Sequence, residues 1–67
     1  MRPAETLTSR EREIIALVAL GWPNRAIGAK LGSTEQTVKN QMGSIFNKLG
    51  FDNRTEVALW AQRRKAA

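Results

Sequence analysis

The sequence predicts an all-α fold, a compact four-helix domain containing a helix-turn-helix. Three observations carry this. Apolar residues recur at three- and four-residue spacings, and no stretch alternates apolar with polar residues as a half-buried strand would. Gly21, Gly32 and Gly50 each close such a run, where a helix end favours a residue tolerating positive φ. Between them stand residues that open helices: Thr8, Asn24, Ser33-Thr34 and Asn53. A chain of 67 residues has room for one domain. The reading divides it into a flexible leader over residues 1–6 and one domain over 7–65, with the helix-turn-helix at 24–43.

The first helix starts at Thr8. Thr8-Ser9-Arg10-Glu11 fits a capping box, in which Glu11 reaches back to the cap amide. Ile14, Leu17 and Val18 share one face, joined by Ile15 and Leu20. After Gly21, Trp22-Pro23 makes a short connection and Asn24 is placed to cap the second helix. That helix runs to about Leu31, with Ile27 and Leu31 one turn apart. At roughly two turns it is marginal alone and must be held by packing. Gly28 in its middle costs about 1 kcal/mol against Ala, which points to a close crossing by another helix.

The third helix, capped by Ser33 or Thr34, runs to Leu49. Val38, Met42, Ile45 and Leu49 form its core stripe, with Phe46 beside them. Gly50 stops it. Phe51-Asp52-Asn53 leads into the fourth helix, with Asn53 as cap and Glu56 at its third position, running to about Arg64. Val57, Trp60 and Ala61 face the core.

Composition narrows the function. Cys and His are both absent, so disulfides, thiolate chemistry, imidazole catalysis and zinc fingers are excluded. The six acidic residues are scattered, mostly in first helical turns where they suit the helix dipole, so neither a catalytic pair nor a metal site is expected. No apolar run approaches the ~18 residues of a membrane span. The chain reads as a non-enzymatic, cytoplasmic binding domain without a cofactor. Its net charge is +5. Residues 1–20 balance three basic against three acidic residues, so the excess lies in 21–67, with eight basic and three acidic. A basic surface on so small a domain points to a polyanion.

The second and third helices, joined by a short Gly-containing break, have helix-turn-helix spacing. In that motif the second helix enters the major groove of double-stranded DNA. At about 100° per residue, Gln36, Asn40, Gly43 and Asn47 lie opposite the core stripe of the third helix. Lys39 flanks them on one side, and Thr37, Ser44 and Lys48 on the other. Amides bordered by hydroxyls and cations suit base edges flanked by phosphates. The expected DNA-binding set is Thr34, Gln36, Thr37, Lys39, Asn40, Gly43, Ser44, Lys48 and Arg54. Thr34, Thr37, Lys48 and Arg54 are its phosphate candidates.

Leu7-Thr8-Ser9-Arg10-Glu11-Arg12-Glu13-Ile14, then Gly21, Asn24-Arg25, Ile27, Leu31, Thr37-Val38-Lys39, Ile45, Lys48-Leu49-Gly50 and Arg54-Thr55-Glu56 resemble the LuxR-type DNA-binding domain, also called LuxR/FixJ or NarL-like. The resemblance covers about residues 7–62. It implies a sequence-specific bacterial transcription regulator, or the C-terminal output domain of one such as a response regulator, with residues 34–49 as recognition helix. It also implies a homodimer on an inverted-repeat operator, paired through the fourth helix, and association with the nucleoid when bound. Thr55, Ala58, Leu59 and Gln62 are then the dimer-interface candidates. Gln41 and Ser33 depart from the family's common His and aliphatic residue, and Pro23 occupies a usual Ser position. Gly43 stands where many members carry a larger base-contacting residue, which bears on the sequence read.

The alternative is a helical protein-interaction module contacting the transcription machinery, such as RNA polymerase. An exposed apolar groove would favour it, and the sequence shows none. A nucleoid or RNA-binding protein would need widely spread cations or exposed aromatic residues. Trp22, Phe46, Phe51 and Trp60 are instead expected in the core.

Overall fold

The computed structural model describes residues 6–66, with side chains placed as far as Arg64. Four helices follow one another: α1 (Ser9–Ala19), α2 (Asn24–Lys30), α3 (Glu35–Leu49) and α4 (Arg54–Ala66). No strand occurs among the described residues. Of the expected leader, residues 1–5 lie outside the described part, while the carbonyl of Thr6 accepts a hydrogen bond from Lys48 Nζ at 3.0 Å.

The capping box of α1 is complete. Glu11 N donates to Thr8 Oγ1 at 3.1 Å, and Thr8 N donates to Glu11 Oε1 at 2.8 Å. Thr34, not Ser33, caps α3, its Oγ1 accepting from Thr37 N at 3.1 Å. Asn53 Oδ1 accepts from Glu56 N at 2.9 Å at the start of α4. The second helix departs from expectation. Pro23 holds its cap position without a side-chain bond, and Asn24 is already helical. The Asn24 amide oxygen instead accepts a hydrogen bond from Arg54.

The first three helices close alike. Trp22 N donates to Leu17 O at 3.0 Å, Ser33 N to Gly28 O at 2.7 Å, and Phe51 N to Phe46 O at 3.1 Å. These six-to-one bonds satisfy carbonyls left over at a helix end. Gly32 makes the middle closure with φ +68°, a conformation that strains any residue bearing a Cβ. Two turn-forming residues thus separate the cap of α2 from the cap of α3.

Nine buried residues form the core: Leu7, Ile14, Ile15, Val18, Ile27, Val38, Met42, Ile45 and Val57. Every helix contributes at least one. Trp22, Phe46, Phe51 and Trp60 pack against it and remain half-buried. The principal packed pairs are α1 with α4 and α2 with α3, with α1 also against α3. Gly28 is a point of close approach between α2 and the start of α3. A Cβ there would lie 2.8 Å from the carbonyl carbon of Thr34 and 3.1 Å from Glu35 N. The sequence therefore accepts a helix-destabilising residue in α2 so that the start of α3 can rest on it. Leu20 does not join the α1 core face. It lies beyond the last helical residue and is 68% exposed.

Candidate nucleic-acid interface

The core stripe of α3 fixes which side of the helix faces outward. Val38, Met42 and Ile45 are buried, so Gln36, Thr37, Lys39, Asn40, Gly43 and Asn47 are left exposed along the opposite side. Thr34 and Thr37 stand at the N-terminal end, where unpaired amides and the helix dipole favour an anion. Thr34 Oγ1 donates to Thr37 Oγ1 at 3.0 Å while accepting from Thr37 N. The Thr37 hydroxyl accepts that bond, so its own proton is directed elsewhere and suits a phosphate oxygen. Next along the face, Gln36 Nε2 donates to Asn40 Oδ1 at 3.0 Å. Gly43 follows, with no atom within 4 Å of where a Cβ would stand.

Three expected DNA-binding residues are turned to internal partners. Lys48 Nζ lies 2.7 Å from Glu11 Oε1 and 3.0 Å from the Thr6 carbonyl. Ser44 Oγ donates to Glu11 Oε2 at 3.0 Å. Arg54 donates to Asn24 Oδ1 and to the Trp22 carbonyl. Their spacing on the helical wheel places Ser44 and Lys48 at the rim of the outer face, but a buried carboxylate on α1 draws both inward. The structure thus groups Thr34, Gln36, Thr37, Lys39, Asn40 and Gly43 on one exposed surface, and does not bring Ser44, Lys48 or Arg54 to it.

Glu11 has a role beyond the capping and helix-dipole ones expected of it: both carboxylate oxygens also bind α3. The signal was present: Glu11 lies three, four and seven residues before Ile14, Ile15 and Val18, on the buried stripe of α1. Burial alone would push its carboxyl up. Hydrogen bonds from Lys48, the Thr8 amide and Ser44, with the Lys48 charge, outweigh that and hold it below its ordinary value. For Arg54, burial presses the guanidinium down from its ordinary value. Arg10 supplies a further tie without a sequence signal, Nη1 donating to the Leu31 carbonyl at 3.2 Å in the turn before α3.

On α4, Thr55 is exposed, Leu59 is 45% exposed and Ala58 is half-buried. Gln62, the fourth dimer candidate, donates from Nε2 to the Ala19 carbonyl at 2.9 Å. A concavity also opens between α1 and α4, lined by Ile15, Ala19, Leu20, Trp60, Arg12 and Arg64. The exposed apolar groove that the sequence did not reveal is therefore present. The described residues contain no cluster of potential metal ligands and no helix long and apolar enough to cross a membrane.

Residues 5–61 match the family model described as bacterial regulatory proteins, luxR family. The chain is 46% identical over 52 residues to the probable transcriptional regulatory protein SgaR of Hyphomicrobium methylovorum, covering 78% of this chain and 25% of that protein. It is 44% identical over 61 residues to the transcriptional regulatory protein LiaR of Bacillus subtilis, covering 91% and 29%. With the nitrate/nitrite response regulator protein NarL of Escherichia coli it shares 38% identity over 64 residues, covering 96% and 30%. The chain thus spans between 25% and 30% of the length of these curated relatives.

Proposed function

Because the chain belongs to the luxR family of bacterial regulatory proteins, we propose that it binds double-stranded DNA sequence-specifically, with α3 in the major groove. One observation supports this above the others: the exposed side of α3 gathers amides, a cation and hydroxyls, while its opposite side carries the buried Val38, Met42 and Ile45. Gln36, Lys39, Asn40 and Gly43 face base edges, while Thr34 and Thr37 hold phosphate at the helix start. Ser44, Lys48 and Arg54 act on DNA indirectly, by fixing α3 and α2 against the rest of the domain. In the cell the domain serves a cytoplasmic transcription regulator of response-regulator type, at the nucleoid. Two copies pair through α4 on an inverted-repeat operator. Thr55 and Leu59 form the centre of that contact, with Ala58 and Gln62 at its edge.

A binding-site selection from random duplex DNA tests the reading, followed by affinity measured against salt. A single enriched half-site is expected, repeated in inverted orientation. If a dimer neutralises about six phosphates, log K against log[salt] should slope near −5. No enriched sequence, with a slope shallower than about −2, would overturn it. That outcome would favour the second reading, a helical module docking on the transcription machinery. Its support is the α1–α4 concavity, whose lining includes exposed Leu20, half-buried Trp60, Arg12 and Arg64 and suits an acidic amphipathic surface.

A further inference from the structure

Resting on the proposal that α3 enters the major groove, we infer that Gln36 is a positioning residue that sets the Asn40 amide to read adenine. An exposed Asn amide turns between two broad orientations, one presenting oxygen and the other nitrogen to a given side. In this chain Gln36 Nε2 donates to Asn40 Oδ1 at 3.0 Å from one turn earlier. That bond selects one orientation, with Oδ1 towards Gln36 and Nδ2 turned away from it.

The chemistry left over is specific. An amide oxygen has two acceptor sites, and Gln36 occupies one. The second site and the two Nδ2 hydrogens remain free. That site and the Nδ2 hydrogen on the same side of the amide form one acceptor beside one donor, the complement of adenine's N6 donor and N7 acceptor in the major groove. Guanine offers two acceptors there, O6 and N7, so the fixed Oδ1 would meet O6 without a proton between them. Thymine offers O4 and a methyl group, and cytosine offers a lone amino donor. Only adenine satisfies both groups at once. Gly43 supports the approach: it lies three residues after Asn40, and the space a Cβ would occupy there is open. The Asn40 side chain can thus reach a base without a neighbour holding the groove away.

The test uses the whole chain and the site obtained by selection from random duplexes. For each variant, affinity is measured for that site and for versions substituted at one base pair. Asn40→Ala should remove the preference for adenine at one position. Gln36→Met keeps the length and helix propensity of the side chain but has no donor. It should lower the adenine preference at that same position by about two- to tenfold, the worth of one neutral hydrogen bond. Affinity for random duplex is measured alongside, so that a loss shared by every duplex is separated from a loss of the adenine preference at the Asn40 position. Gln36→Lys restores a donor over the same span and should restore the ratio, even if its charge strengthens binding to every duplex. A Gln36→Met preference equal to wild type would overturn the positioning role. Selection of a base other than adenine at the Asn40-dependent position would overturn the adenine assignment and leave DNA reading intact. Absence of any selected sequence would overturn the functional reading on which both rest.

Discussion

Lys48 Nζ lies 2.7 Å from Glu11 Oε1 and joins the first turn of α1 to the last turn of α3, 37 residues apart in sequence. The same carboxylate closes the capping box of α1 and accepts from Ser44. One buried acid therefore sets both the start of α1 and its distance from the C-terminal half of α3.

Lys48→Met should cost about 1–3 kcal/mol, the range for hydrogen bonds to charged groups. This is below the ~3–5 kcal/mol of a fully buried pair, because Lys48 is partly open to solvent. The loss should depend on pH. The folded Glu11 carboxyl titrates below its ordinary value of 4.5. Its contribution is fully present above that value and is lost as pH falls through the folded pKa. Urea unfolding midpoints should show wild type and Lys48→Met converging in acid. A gap that stays undiminished however far the pH is lowered would show that it does not arise from the ionised Glu11–Lys48 pair.

Gly28→Ala should destabilise the domain, although Ala is the better helix former by about 1 kcal/mol. The new methyl would stand 2.8 Å from the Thr34 carbonyl carbon, a backbone atom that can move only with the start of α3. Overpacking of this kind costs about 1–3 kcal/mol. Thermal unfolding gives the sign directly, and a stabilised variant would mean that the α2–α3 crossing is looser than described.

Gly43→Ala should do the opposite to the free domain. No contact opposes a methyl there, so stability should rise by up to ~1 kcal/mol. Affinity for the selected site should nevertheless fall, by an amount like that of a mismatched base pair, about 1–3 kcal/mol. A variant that is both more stable and equally tight on DNA would remove any reason in the interface for this glycine.

Leu59→Asp places a charge on the exposed side of α4, away from buried Val57. Helicity and affinity for an isolated half-site should not change. Cooperative binding to a two-half-site duplex with centres ~10 bp apart should be lost. The patch is too small for the ~1,200–2,000 Å² of a stable interface, so the free chain should sediment as a monomer. Gel-shift titrations with unchanged cooperativity would place the dimer contact elsewhere.

Local signals make most of the fold legible in the sequence. Thr8 with Glu11, the apolar stripe of α3 and the three closing glycines each act within a few residues, and the structure keeps them all. The departures involve partners distant in sequence. Asn24 resembles a cap until Arg54, 30 residues later, takes its amide oxygen. Leu20 has the spacing of a core residue, but α1 ends at Ala19 and leaves it beyond the helix. The outer face of α3 followed from periodicity. The removal of Ser44 and Lys48 from it did not, since periodicity ranks positions by angle and does not register a carboxylate on another helix.

Arg54 stands at the first turn of α4 yet holds the connection that leads into α2, through the Trp22 carbonyl and the Asn24 side chain. A seven-residue helix without a side-chain cap of its own borrows its anchorage from a residue that the ribosome adds much later. A peptide ending before residue 54 would carry every group proposed to touch DNA and still lack the fastening that keeps α2 beneath α3. The part that reads is therefore shorter than the part that must be inherited whole. A segment of residues 24–43 grafted into another scaffold would carry the reading side chains without the support that orients them.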